Sequence, residues 1–353
     1  VKIVKVLAHT ALTCACLLIS NVLNEKQFTA ATDVAQSIHA KQTQPAVSVS
    51  PLFKQVDRGT ITIAFSPPKG ATPVLDQADV YFPVVAAHAS KSVQFPAVLL
   101  LQGALVDKSA YSTFASRVAS YGFVVVVPNH QRTVSAPNGR SVAGLAAEQQ
   151  QVNDVLRQLV SENANAKSRL AGKVDTTKLG LLGHSLGGYA GLGAIQNICF
   201  PGVCTGQFAR PQALKAGIFY GTNFRVPAIT GKFPSIRNQN IPTALVAGSR
   251  DGVSDLDETQ ATYKQIQDAP KALMVVNGAN HYSITNQDSP RDPTRPTLNQ
   301  AEATETIARW SALFLRAHLL NDQSAFDYVY KTGDARDSNV SVTSELPQTD
   351  RSK

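Results

Sequence analysis

Ser185, Asp251 and His281 are the residues whose types, order and surroundings could together do nucleophilic chemistry. Ser185 is central to Gly183-His184-Ser185-Leu186-Gly187, after the apolar run Leu179–Leu182 and before the small-residue stretch Tyr189–Ala194. That pattern predicts a strand, a sharp turn and a helix. A serine at such a turn needs small neighbours, which Gly183 and Gly187 supply, and the turn exposes its hydroxyl. The N-terminus of the following helix favours negative charge forming beside it. A Gly-rich packing turn would use the same glycines without chemistry. The strand and helix on either side favour the nucleophile.

Elbows of this kind order their partners serine, acid, histidine along the chain. No Asp or Glu lies between Ser185 and Asp251, so Asp251 is the first acid that could serve. It follows Pro242–Gly248, an apolar run that reads as a buried strand. The loop after a parallel strand lies on the side where such sheets carry their chemistry. Asp255 and Asp257 are the alternatives, although an Asp at a helix start commonly serves as an N-cap. Beyond Asp251 only His281 and His318 remain. His281 follows the strand-like Lys271–Val276 through the loop Asn277–Asn280 and is read as the base, a loop histidine bonding its own backbone being the alternative. His318 belongs to a helically periodic stretch from Ala308 and reads as a packing or surface residue. His184 reads as structural, and His130, after the strand Phe123–Val127, as packing rather than pocket lining. His9, His39 and His88 fall in the leader, the polar N-terminal stretch and a loop. No His, Cys and carboxylate set has metal-ligand spacing, so neither a metal nor another cofactor is expected.

A serine nucleophile attacking an acyl carbonyl needs two backbone N–H groups to hold the oxyanion. One is expected from Leu186. The other is expected from Ala104, because Gly103, after the strand Ala97–Leu101, allows a tight turn; Leu105 is the alternative donor.

The succession of strand Ala97–Leu101, Gln102-Gly103, helical stretch Tyr111–Gly122 and strand Phe123–Pro128 resembles the α/β-hydrolase superfamily. The elbow and the loops Gly248-Ser249-Arg250-Asp251 and Gly278-Ala279-Asn280-His281 extend the resemblance, which runs from about Ala97 to Leu320. Within the superfamily the chain most resembles the branch of chlorophyllases, cutinase-type polyester hydrolases and platelet-activating-factor acetylhydrolases. The resemblance implies an α/β fold with a mostly parallel central sheet and helices on both faces. It also implies ester hydrolysis by Ser185, His281 and Asp251 through an acyl-enzyme. Many members carry His-Gly where this chain has Gln102-Gly103, and chlorophyllases carry Arg where it has Leu186. Chlorophyll is thus one candidate substrate among small esters, lipids and polyesters. The same triad would serve an amidase or an acyltransferase, and a non-catalytic binding protein on this fold is the remaining alternative.

The elements that must position these residues fit one core. At 353 residues and 43% apolar content, one large α/β domain suits the chain better than two equal ones. Alternating strand-like and helical runs, including helix candidates Ala143–Asn163 and Glu302–Leu320, indicate a mostly parallel sheet. Thr60–Phe65 and Asp79–Phe82 read as edge strands. Residues 1–30 read as a signal peptide: Lys2 and Lys5 precede the apolar Val6–Ile19, shorter than the roughly 20 residues that span a bilayer. Export is therefore expected, with an uncleaved N-terminal anchor as the alternative. Residues 31–55, including the polar Gln36–Ser50, read as linker, 56–330 as the catalytic domain, and 331–353 as a disordered tail. Cys199 and Cys204 flank a turn and are expected to form a disulfide in an oxidising compartment, two buried thiols being the alternative.

The formal charge of +8 does not indicate nucleic-acid binding, because the basic residues are scattered and no binding module interleaves them with aromatics. Between Leu186 and Arg250 there are six basic residues and no acid: Arg210, Lys215, Arg225, Lys232, Arg237 and Arg250. They form either a solvated face or a positive rim toward anionic lipids, polymers or carboxylate products, with association at a membrane surface as one consequence. The chain is expected to be a monomer.

Overall fold

The computed structural model describes residues 49–65, 74–85, 93–135, 141–225 and 231–348. The expected signal peptide and residues 31–48 of the expected linker lie outside them. Eleven strands are described: β1 Val56–Phe65, β2 Val74–Pro83, β3 Phe95–Leu101, β4 Val124–Pro128, β5 Gln131–Ser135, β6 Ser141–Leu145, β7 Val174–His184, β8 Leu214–Tyr220, β9 Thr243–Gly248, β10 Lys271–Val276 and β11 Val340–Glu345. The main helices are α1 Ser112–Ala119, α2 Gln151–Ala164, α3 Leu186–Ile195, α4 Leu256–Gln265 and α5 Gln300–Leu319.

All strands but β5 and β6 join one sheet in the order β1-β2-β4-β3-β7-β8-β9-β10-β11. The stretch from β4 to β10 is parallel throughout. β1 and β2 close one edge antiparallel, and β11 closes the other. Both expected strands are thus present and longer than their apolar cores, but only β1 is an edge strand, because β2 pairs with β1 on one side and β4 on the other. Parallel strands covered on both faces need apolar residues at every position. β3, β4 and β9 are buried at each of theirs.

Alternation then divides the core in two. Val98, Leu100, Val125, Val127 and Ile218 pack with Phe114 of α1 and with Trp310 and Phe314 of α5. Leu99, Leu101, Val124, Val126 and Leu181 pack on the other face with Val152 and Val155 of α2, Leu192 of α3 and Tyr263 of α4. This is the α/β fold that the motifs imply, with helices on both faces.

Three further expectations need correcting. The helix expected over Ala143–Asn163 starts only at Gln151, because residues up to Leu145 form β6 and pair with β5. A short run of small and apolar residues suits either state, and pairing decided it. The tail expected to be disordered supplies β11, which pairs residue for residue with β10. Its polar residues alternate outward on an edge strand, Val340 is buried, and Asp337 accepts the Trp310 Nε1 proton at 2.7 Å. The end of the expected linker also joins the domain: the Phe53 amide donates to Ser120 O at 2.9 Å, and its ring meets Phe95 edge-on at 5.2 Å.

Candidate active site

Every residue singled out for chemistry leaves the C-terminal end of a parallel strand. Ala104 follows β3, Ser185 follows β7, Asp251 follows β9 and His281 follows β10. Ser185 has φ 54° and ψ −120°, a conformation that L residues rarely adopt. Such strain costs on the order of 1–3 kcal/mol and persists only where the surroundings over-determine it. Here the Ser185 N–H donates to Tyr220 O at 3.0 Å, and its carbonyl accepts from Gly188 N at 2.9 Å, Tyr189 N at 3.1 Å and Thr222 Oγ1 at 2.9 Å. A Cβ on Gly187 would lie 2.0 Å from the Leu101 carbonyl oxygen, so only glycine lets α3 start this close to the end of β3.

The structure brings the expected acid and base together. His281 Nδ1 lies 3.0 and 2.9 Å from the two carboxylate oxygens of Asp251, and both side chains are buried. The Asp251 carboxylate is aimed by the Val253 and Ser254 amides, at 2.9 and 2.7 Å. With Nδ1–H donating to Asp251, Nε2 is the ring nitrogen left for a substrate proton. Asp255 instead caps α4, accepting from Glu258 N at 2.8 Å, and Asp257 is exposed.

The residues that hold this pair had no local sequence signal. His184, read as structural, is buried and donates from Nε2 to the His281 carbonyl at 2.9 Å. Burial, and then the neighbouring His281, keep its pKa well below the usual histidine range, so it is neutral and Nδ1 accepts. The donor is the Tyr111 hydroxyl at 2.9 Å, which in turn accepts the Gly103 N–H at 2.9 Å. The His281 N–H donates to the buried Asp292 carboxylate at 2.8 Å. Tyr111 lies 73 residues before His184, so only folding brings it to the site, whereas Asp292 lies 11 residues beyond the His281 whose N–H it takes.

Of the two expected donors beside Gly103, Leu105 is already engaged, its N–H bonding Leu145 O at 2.7 Å. Among the described residues the Ala104 and Leu186 N–H groups have no acceptor. A cleft of about 320 Å³ opens at Ser185, walled by Leu186, Tyr189, Thr222, Asn223, Arg225 and Val253. Of the six basic residues between the elbow and the acid loop, Arg225 reaches this wall, where Glu258 pairs with it at 3.0 Å. Cys199 and Cys204 are disulfide-bonded, and the five-residue separation contains Phe200, whose ring lies 5.3 Å from Tyr189 and 4.4 Å from Phe224.

His130 and His318 stay outside the site. The His318 ring bonds Tyr330 Oη at 2.8 Å, and burial lowers its pKa to about 4. His130 sits between Asp76, at 2.7 Å from Nδ1, and Glu148, at 3.3 Å from Nε2. Burial opposes its charge, but the two carboxylates prevail and raise its pKa; burial likewise opposes ionisation of Glu148, yet His130 and Thr205 lower its pKa. The raised histidine contributes stability that is full below its unfolded value, near 6.5, and is lost as pH rises through the folded value. The lowered glutamate contributes above its unfolded value, near 4.3, and loses that as pH falls. Thermal melts should therefore show the largest gap between wild type and His130→Gln at about pH 5–6. A gap unchanged up to pH 9 would exclude the ion cluster as its cause.

A sequence family described as PET hydrolase-like matches residues 34–200. The match takes in the Ala104 turn and the Ser185 elbow and ends before Asp251. The chain is 25% identical to cutinase est1 of Thermobifida alba over 197 residues, 55% of this chain and 56% of that protein. It is 25% identical over 197 residues to cutinase est2 of the same organism, again 55% of each chain. It is 28% identical over 109 residues to a bis(hydroxyethyl) terephthalate hydrolase of Streptomyces coelicolor, 31% of this chain and 30% of that one. The chain spans about half the length of the two cutinases it matches.

Proposed function

We propose that this chain, which belongs to the polyester-hydrolase branch of the α/β-hydrolase superfamily, is an exported serine hydrolase of carboxylic esters. The observation that carries the reading is the pairing of His281 Nδ1 with both Asp251 oxygens in the loops beside the strained Ser185 elbow. Ser185 Oγ attacks the ester carbonyl while His281 Nε2 takes its proton, and Asp251 stabilises the imidazolium. The tetrahedral oxyanion is held by the Ala104 and Leu186 N–H groups. Collapse returns the proton from His281 to the leaving alcohol and leaves an acyl-enzyme. Water, deprotonated by His281, attacks this ester; the acid is released and Ser185 is restored. No step calls for a cofactor.

The open cleft, with Leu186, Tyr189 and Val253 on its wall, supports esters presented on a chain or surface rather than a ligand enclosed in a tunnel. The names of the similar cutinases and terephthalate-ester hydrolase point the same way. The Cys199–Cys204 disulfide supports an oxidising compartment, and among the described residues no helix is long and apolar enough to cross a membrane.

The test is hydrolysis of para-nitrophenyl esters from acetyl to palmitoyl, together with a fluorophosphonate probe followed by peptide mass mapping. Turnover that is greatest on short and medium acyl chains, with the adduct on the Ser185 peptide, is expected. A folded sample that neither turns over any ester nor takes up the probe would refute the proposal.

A further inference from the structure

We propose that Arg291 positions the oxyanion hole, clamping the Ala104 turn to the loop that carries the base; this rests on the hydrolase reading above. The turn is one that the chain would not hold unaided. Leu105 has φ 59°, in the left-handed region that a Cβ disfavours. Two sets of contacts pin it. From one side, the Leu105 N–H bonds Leu145 O at 2.7 Å, while its side chain occupies the space over Gly144, where a Cβ would lie 2.4 Å from Leu105 Cδ2. From the other side, Arg291 Nη2 donates to Ala104 O at 2.9 Å and Nη1 to Leu105 O at 3.4 Å. The carbonyls of two successive residues are thus held by one planar guanidinium, a geometry that lysine's single ammonium does not reproduce.

Arg291 is itself anchored at the base. Its guanidinium carbon lies 5.7 Å from the ring centroid of Tyr282, the residue after His281. The next residue, Asp292, is buried and takes the His281 N–H at 2.8 Å on one oxygen and the Thr294 N–H at 2.7 Å on the other. Two consecutive residues therefore hold the oxyanion turn and the base in one frame. Among the described residues no carboxylate pairs with Arg291, so the two carbonyls are its partners for charge-assisted bonds. Arg291 acts through the backbone of Ala104 and is a positioning residue, not a catalytic one.

The experiment measures kcat and KM on a short para-nitrophenyl ester, and Ki for a trifluoromethyl ketone that forms a hemiketal with serine, for wild type, Arg291→Ala and Arg291→Lys. Deleting a donor outright costs on the order of 10²–10³ in turnover; displacing one should cost Arg291→Ala about 10–100-fold in kcat, with KM little changed. Ki for the ketone should rise by the same factor. Arg291→Lys should recover only part, and added guanidinium ion should restore turnover to the alanine variant. Arg291 is exposed, so both variants should stay folded and melt cooperatively, and the loss of kcat should far exceed any loss of stability.

Wild-type kcat in both variants, or a raised KM with kcat and ketone affinity unchanged, overturns the proposal. The second pattern would make Arg291 a substrate contact. Ser185→Ala runs in the same assay. Were it to keep activity, the reading of the site would fail first; were it inactive beside fully active Arg291 variants, only the clamp would fail.

Discussion

Ser185→Ala is expected to lower kcat on para-nitrophenyl acetate by on the order of 10⁶, the loss that follows when a triad nucleophile is removed. The fold should survive. The bonds that hold residue 185 in place run through its N–H and carbonyl, to Tyr220, Gly188, Tyr189 and Thr222, and alanine keeps all of them. Alanine meets the same backbone strain at φ 54° as serine does. The variant should therefore melt with wild type, fail to react with fluorophosphonate and retain only the small rate supplied by the oxyanion donors and substrate binding. A loss below tenfold would mean that another nucleophile does the chemistry. A large loss accompanied by a lower melting temperature would instead make Ser185 a structural turn residue.

Asp251→Asn is expected to cost about 10⁴ in kcat, some 5.5 kcal/mol at 1.36 kcal/mol per decade. An asparagine oxygen can still accept the Val253 and Ser254 amides, so the loop should stay folded. Its NH₂ would then face His281 Nδ1, which must accept rather than donate. The ring proton moves to Nε2, and the base faces the serine in the wrong tautomer. Stability and fluorophosphonate labelling separate this from unfolding: the variant should melt cooperatively and label slowly. Activity within tenfold of wild type would place the acid elsewhere. Asp255 and Asp257 are poor replacements, since the first caps α4 and the second is exposed.

Much of the site could be read from local patterns because each of its parts has a short-range cause. The elbow announces itself through Gly183 and Gly187, which the backbone needs, and through the apolar and small-residue runs beside them. The proposed acid stands out because no Asp or Glu lies between Ser185 and Asp251, and the proposed base because only two histidines follow. Both follow apolar runs that read as buried strands. Composition misled where it stood in for pairing. The polar tail is a strand because alternate residues of an edge need not be apolar, and β10 offered it a row of backbone partners. The start of the expected long helix became β6 because β5 lay within reach.

The sequence by itself singled out the proposed nucleophile, acid and base and the mostly parallel sheet, since turn chemistry and hydrophobic period act over a few residues. Tertiary structure alone decided how they are held. Tyr111, His184, Asp292 and Arg291 form one web around His281 and the Ala104 turn. Nothing local marks the buried His184 ring as the partner of a backbone carbonyl 97 residues away. Such a bond forms because the fold removes both groups from water together, and an unpaired polar group left there would be costly.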